Sequence, residues 1–521
     1  MKKLSLLILP CFIYISVNAQ AVLSWQKTYG GTGHEYIYQT IPTADGGFAF
    51  VGYSESIDGD VPSNQGGEDL WVAKANASGT LEWSYTFGGS NTDNGFDLVQ
   101  TADGGFFVAG WTDSGDGDVT GHHGTSGSDF WVLRLSASGA LLGNKCYGGT
   151  SDDDAAAIAF SQDGKLYVAG TTYSYDNDVS GNHGTYMSDL WVIKIDTSLN
   201  LLAQKCVGGT EYEEAMDMVC TADNGCAITG RSYSTDGDIT GYHDGSDLVL
   251  AKLSAAFAVE WAKCFGGTET EEGNAIVQNA DQSFTVLGYT STHNNGDVTG
   301  HHGAQGSDDF WLVKVNTDGS LSWAKCYGGS GDDQADGLTA SVAGGYAMCG
   351  LTNSTDGDVS GFHTAAWDPD IWVARVDAIG TFQWQRCCGG SGQDESFRVY
   401  EESSNLFVVT GFTYSPDYDV TNWKGDADGW ILKVTGSAGL HDVQTNDEIA
   451  VMPNPANEFL YFEEGTVDYI RISDLTGALL LETQNPSGNN ISLNSLSTGL
   501  YLLELRNGNN WSIQKLMVVK H

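Results

Sequence analysis

The 521 residues carry 67 acidic against 23 basic side chains, a net charge of −44, with 41% hydrophobic and 11% aromatic content. Such acidity excludes nucleic acid or anionic lipid as a charge-held partner and turns the surface towards cations or basic partners. The apolar content excludes a disordered chain, and the length suits one large core plus a small domain.

The chain opens with MKKLSLLILPCFIYISVNAQ. A Lys-Lys start, an apolar stretch and Ala19 two residues after Val17 read as a secretory signal over 1–19, cleaved near Ala19-Gln20. Cys11 follows Pro10 rather than a small residue, which argues against a lipoprotein. No later apolar run is long enough to span a bilayer, so no transmembrane segment is expected. Loss of Lys2 and Lys3 leaves 21 basic against 67 acidic residues.

From residue 20 to 436 one unit recurs. A double glycine stands at Gly30-Gly31, Gly88-Gly89, Gly148-Gly149, Gly208-Gly209, Gly266-Gly267, Gly328-Gly329 and Gly389-Gly390, in steps of 58, 60, 60, 58, 62 and 61 residues. An apolar anchor keeps the same beat at Trp71, Trp131, Trp191, Val249, Trp311, Trp372 and Trp430. A fixed period of this length marks a repeat architecture. In the second unit, 95–101 and 105–112 flank Ala102-Asp103-Gly104, and Asp-Gly between apolar runs signals a hairpin. A long loop, FWVLRLS (130–136), a Ser-Gly turn and ALLGNKCY (140–147) complete four short antiparallel strands. Helical periodicity is absent, so the fold class is all-β, with seven four-stranded sheets as the blades of a β-propeller.

The ends of the array point to a closed ring. The start, 22–29, matches only a fourth strand, and the end, 429–434, matches only a third. Pairing them closes the ring and removes two unpaired edges.

Two sets of loops then emerge on one face, and both are acidic. The functional reading is one calcium ion in each blade, because calcium takes six to eight hard oxygens from spaced Asp and backbone carbonyls. The candidate ligand sets are Asp58, Asp60 and Asp69; Asp116, Asp118 and Asp129; Asp176, Asp178 and Asp189; Asp236, Asp238 and Asp247; and Asp356, Asp358 and Asp370. The competing reading is that these residues form Asx-turns. No unit carries a full Asp-x-Asp-x-Asp-Gly loop or a fixed closing Glu. His123, His183, His243, His302 and His363 fall in the same loops on separate blades, which argues against a shared zinc and for solvent-facing side chains. Trp25, Trp83, Trp261, Trp323 and Trp384 share a repeat position, which favours packing between blades over a sugar-stacking surface.

Cys146, Cys206, Cys264, Cys326 and Cys387 share another repeat position, too far apart for bridges, and read as buried thiols. Cys220 and Cys226 flank a turn within reach of a cross-hairpin pair. No Gly-x-Ser-x-Gly, His-Glu-x-x-His or phosphate loop occurs, so no catalytic residues are assigned. The leading expectation is a non-enzymatic propeller binding a protein or glycan through its acidic face. The alternative is a secreted polysaccharide-degrading hydrolase or lyase with its site at the channel mouth, which would need one blade to break the symmetry.

After a linker over 437–448 the rhythm stops, and 449–521 show the strands of a small Ig-like β-sandwich. Pro453-Asn454-Pro455, then Asp474-Leu475-Thr476-Gly477, then Leu496-Ser497-Thr498-Gly499-Leu500-Tyr501, then Lys515 to Lys520 follow in order. These motifs resemble the type A C-terminal sorting domain of the type IX secretion system of Bacteroidetes. Met452, where an aromatic is usual, and His521 after the closing lysine depart from the pattern. The resemblance implies Sec export to the periplasm, passage across the outer membrane and removal of the tail by a surface sortase-like protease. It also implies a cell-surface or extracellular destination. The propeller is similar to uncharacterised repeat propellers found on such tails, which implies no activity.

Overall fold

A computed structural model describes residues 19–363 and 368–436, and residues 451–520 apart from 453–455, 463–466, 474–478, 485–489 and 508–509. Residues 1–18, with the expected signal, lie outside the described residues. The chain divides into two compact units, up to Ser437 and from Ala438 onward.

Among the described residues the first unit forms seven antiparallel sheets. The second is representative: Asp93–Gln100, Phe106–Thr112, Asp129–Leu135 and Leu141–Tyr147 pair in sequence order. The first sheet begins at Glu35, the third at Asp153, the fourth at Glu213, the fifth at Glu271 and the sixth at Asp333. The seventh takes Asp394–Ser403, Leu406–Thr413 and Asp428–Thr435 from one end of the array and Val22–Tyr29 from the other. That last pairing is antiparallel, from Val22 opposite Thr435 to Tyr29 opposite Gly429. Ala19 and Gln20 add a short parallel strand to the sixth sheet, beside Trp384 and Gln385.

Burial follows strand position. Phe106–Thr112 and Asp129–Leu135 are buried on both faces except Trp111 and Arg134, whereas in Leu141–Tyr147 only Cys146 and Tyr147 are buried and Leu142 is exposed. Second and third strands are therefore continuous apolar runs, as expected when a sheet is covered on both faces. The anchors Trp71, Trp131, Trp191, Val249, Trp311, Trp372 and Trp430 are fully buried between sheets. Trp25, Trp83, Trp261 and Trp384 pack on Phe48, Phe106, Phe284 and Phe407 of the following sheet, with ring centroids 5.5–6.3 Å apart. First strands touch one another in cyclic order, the seventh meeting the first.

All nine described cysteines are free thiols. Cys220 and Cys226 face each other in register across their hairpin without a bond.

The second unit has a three-stranded sheet (Val451–Met452, Phe459–Phe462, Asn490–Ser492) and a four-stranded one (Leu479–Gln484, Tyr469–Ser473, Gly499–Asn507, Asn510–Val518). Leu460 and Ile491 of one and Ile470, Ile472, Leu503 and Leu505 of the other share one core. Tyr501 is buried, its hydroxyl donating to Ser497 O at 2.9 Å. Lys520 Nζ donates to the carbonyls of Asn457 and Leu493. Gly499 opens a strand and Lys515 lies in the last one. Pro453, Asn454, Pro455, Asp474 and Gly477 lie outside the described residues.

Candidate functional site

The double glycine is a seat for acidic side chains. The second glycine of each pair donates its N–H to the first residue of the next strand, Gly89 to Asp93 at 2.8 Å and Gly209 to Glu213 at 2.8 Å. A Cβ on Gly148 would lie 2.4 Å from Asp129 Oδ1 and 2.5 Å from Asp153 Oδ2, which no real side chain tolerates. The repeat keeps glycine there because two carboxyl groups crowd against its backbone.

The fifteen candidate calcium ligands divide into three structural roles. The outermost, Asp58, Asp116, Asp176, Asp236 and Asp356, accept the N–H after the double glycine, from Thr32, Ser90, Thr150, Thr210 and Ser330 at 2.7–2.9 Å. The strand-opening Asp69, Asp129, Asp189, Asp247 and Asp370 are fully buried and accept loop N–H groups from Gln65, His123, His183, His243 and His363. The third group, Asp60, Asp118, Asp178, Asp238 and Asp358, faces the loop of the preceding sheet. Among the described residues no three His, Cys, Asp or Glu side chains come together as a metal-holding group.

The histidines differ from the solvent-facing expectation. Each side chain is partly buried, and four of the five span two sheets. His123 Nδ1 meets Asp129 at 3.0 Å while Nε2 lies 3.8 Å from Asp178 of the next sheet. His183 repeats this with Asp189 at 2.6 Å and Asp238 at 3.8 Å, and His363 with Asp370 at 2.8 Å and Asp419 at 3.7 Å. His243 does so with Asp247 and Asp297, and His302 meets Asp309, with Asp358 adding to its field. In the first sheet Gln65 takes the place, reaching Asp118 at 2.6 Å, and in the seventh Lys424 reaches Asp60. The hydrogen bond to Asp309 raises the His302 pKa, and that to Asp370 raises the His363 pKa. Burial pushes the carboxyls of Asp69 and Asp247 up to about 6 and those of Asp153, Glu213, Asp333 and Asp394 up to about 7.

One cavity of about 560 Å³ is lined by residues of all seven sheets. Repeat-equivalent positions on the first strands place Tyr38, Phe96, Ala156, Met216, Asn274, Asp336 and Phe397 around it. Tyr38 stacks on Phe96 at 4.6 Å and leans on Phe397 at 4.8 Å, so the seventh, first and second sheets form an aromatic wall. Sheets three to six contribute Asp154, Glu214, Glu272, Gln334 and Asp336. Arg231 pairs with Glu214 at 2.6 Å and with Glu272. Arg398 donates to the carbonyls of Asp336 at 3.1 Å and Asn274 at 3.4 Å and lies 3.8 Å from Asp217. Burial, then the charge of Glu395, pushes Asp336 up to about 8, and burial holds Asp97 at about 6. Sequence reasoning offered a channel mouth as the alternative site but named none of the residues that line this cavity. The signal was the set of first-strand positions where the repeat fails to repeat.

The chain is thus an all-β protein of repeated four-stranded sheets carrying a small two-sheet tail. Residues 450–520 match the secretion system C-terminal sorting domain, and this tail supports export to the cell surface or extracellular space. The chain is 24% identical over 421 residues to the regulatory protein FlaEY of Caulobacter vibrioides, covering 72% of this chain. It spans 42% of that relative's length. Solved structures with similar folds include the Pan2 WD40 domain of Neurospora crassa (9% identity, 81% of this chain, 97% of that one, TM-score 0.43). Hydrazine synthase of Kuenenia stuttgartiensis (11%, 76% and 95%, TM-score 0.45) and Sqt1 of Chaetomium thermophilum (12%, 79% and 100%, TM-score 0.38) are others. Among the described residues no helix is long and apolar enough to cross a membrane.

Proposed function

We propose that residues 20–436 are a closed seven-bladed β-propeller, joined by a linker over 437–448 to an Ig-like sorting domain over 449–521. The protein binds a protein or glycan partner, without catalysis, through its acidic loop face at the cell surface or outside the cell. Sec export and the type IX machinery deliver it, and a surface sortase-like protease removes the tail. The observation that carries this reading is one loop form set around the array, its outer carboxylates Asp58, Asp116, Asp176, Asp236 and Asp356 exposed. A repeated, solvated acidic rim suits multivalent attachment better than a single reaction centre. Labelled mature protein on glycan and protein arrays at two salt concentrations tests it. Salt-sensitive capture of defined ligands is expected, and an empty array at low salt overturns it.

A second reading, a polysaccharide-degrading hydrolase or lyase, draws on Asp336. A carboxyl held at about 8 is protonated at neutral pH, as a general acid must be. Release of reducing ends or unsaturated products from polysaccharides, lost in Asp336→Asn, is the outcome that favours it.

A further inference from the structure

The loops repeat, but the cavity does not, and its lining is sorted by chemistry. Tyr38, Phe96 and Phe397 offer ring faces, only partly buried and therefore within reach of solvent. Asp336 lies on the neighbouring sixth sheet, its carboxyl held by Asn274 Nδ2 at 3.3 Å, and Asn274 Oδ1 is buried without a hydrogen-bond partner. The positive charges nearby are already committed. Arg231 is spent on Glu214 and Glu272, and Arg398 is turned to main-chain oxygens and Asp217. Aromatic faces attract cations through their quadrupole, and an ammonium N–H supplies the donors that a carboxylate and an orphan amide oxygen accept.

The geometry points to this cavity as a binding site for an organic cation with a short apolar stem, a primary ammonium whose stem lies on the Tyr38–Phe96–Phe397 wall and whose head meets Asp336. The inference rests on the closed ring proposed above, since the lining comes from every sheet, but not on the loop-face reading. A cavity of about 560 Å³ is within the range of small-ligand sites and exceeds the needs of a lysine side chain. Binding also carries a signature. Asp336, facing Glu395, Glu272, Asn274 and Arg398, holds a proton at neutral pH, and an arriving cation expels it.

The test is calorimetry on the mature full chain at pH 7. Butylammonium stands for a free amine, Nα-acetyl-lysine amide for a lysine side chain of a partner, and Nα-acetyl-norleucine amide is the uncharged control. The lysine probe is expected to bind at least about tenfold more tightly than norleucine, the loss attached to one charge-assisted hydrogen bond. Its heat should change with the ionisation enthalpy of the buffer, reporting proton release. Asp336→Asn should weaken binding about tenfold and abolish the buffer dependence. Phe96→Leu removes a ring face and keeps the charge. It should weaken binding severalfold and retain the proton signal, so the test stands even where one variant fails to fold. Binding by butylammonium alone assigns the site to free amines, and binding by both admits a partner's lysine. Equal affinity for norleucine, or lysine binding unchanged in Asp336→Asn with no buffer dependence, overturns the proposal, as does capture of a neutral oligosaccharide in the cavity instead. Probe binding alongside an empty array removes the loop-face reading alone, and an array ligand without probe binding removes this one alone.

Discussion

Replacing Ala324 with glutamine should stabilise the fifth sheet. In five sheets the buried anchor tryptophan donates its indole N–H to a polar side chain on the fourth strand. The pairs are Trp71–Ser84, Trp131–Asn144, Trp191–Gln204, Trp372–Gln385 and Trp430–Gln26, at 2.9–3.1 Å. The fourth sheet lacks both partners, with Val249 and Ala262 in their places. The fifth keeps Trp311 but has Ala324 as the acceptor position, and Trp311 Nε1 is buried without a partner. A buried donor left unmatched costs about 1–3 kcal/mol. By analogy with Gln204 Nε2, which donates to Ser180 O, the new amide would also reach the carbonyl of Thr299. Matching the buried donor at about 2 kcal/mol and a second bond of about 1 kcal/mol, less about 1.5–2 kcal/mol for ordering a glutamine side chain, leave a net gain of about 1 kcal/mol. Urea unfolding followed by tryptophan fluorescence should show a higher midpoint at unchanged slope, while Gln204→Ala loses about 1–3 kcal/mol. An Ala324→Gln protein no more stable than the parent, beside a destabilised Gln204→Ala, would refute the reasoning.

Stability should fall from about pH 4.5, just above the unfolded values of the carboxyls, through about 7. Asp153, Glu213, Asp333 and Asp394 are raised by burial to about 7, and His302 and His363 are raised by their aspartate partners. Each such group favours the fold fully below its unfolded value and loses that contribution as pH rises through the folded one, so a melting temperature that is flat or rising across this window contradicts the assignment. Deleting residues 20–31 removes the strand that pairs with Asp428–Thr435 and the Gln26–Trp430 bond, and is expected to lower the melting temperature and produce oligomers by exposing an edge. A monomer melting like the parent would refute ring closure. Removing residues 449–521 should leave a folded propeller in the periplasm, and parental levels outside the cell would count against sorting by the tail. Millimolar calcium should stabilise no more than sodium chloride of equal ionic strength, because the loop aspartates already serve backbone N–H groups; a stoichiometric heat of calcium binding would overturn that expectation.

The sheets were legible because their determinants are local and repeated. Asp103-Gly104 closes a hairpin through its own backbone, and Trp131 needs only its own sheet and the neighbour. The Asp–His–Asp joints were not legible, because the spacing invites each loop to be read within its own unit. Asp116, Asp118 and Asp129 look like one ligand set, yet Asp118 serves Gln65 of the sheet before, and His123 reaches Asp178 of the sheet after. The cavity's lining escaped for a different reason. Tyr38, Asn274 and Asp336 share one position of ordinary-looking first strands, Arg398 lies one residue further along the seventh, and only the packing of first strand on first strand brings them together. Residues where a repeat departs from itself carry the information that its period hides.

The joints between sheets are not alike, and the place where the two ends of the array meet has a mechanical consequence. Gln65 serves the first joint, histidines occupy five, and Lys424 serves the seventh. Lysine stands where the seventh sheet meets the first, a junction the chain crosses between Tyr29 and Glu35, and the two ends of the array meet instead inside the seventh sheet, between Val22–Tyr29 and Asp428–Thr435. Every joint between sheets therefore lies beside an unbroken stretch of backbone that would hold parted sheets within easy reach of re-closure. A break at the junction of the two ends would have no such tether. Gln26, accepting from the Trp430 indole, and Thr28, donating to the carbonyl of Asn422 at 3.0 Å, add side-chain fastenings where the backbone supplies no leash.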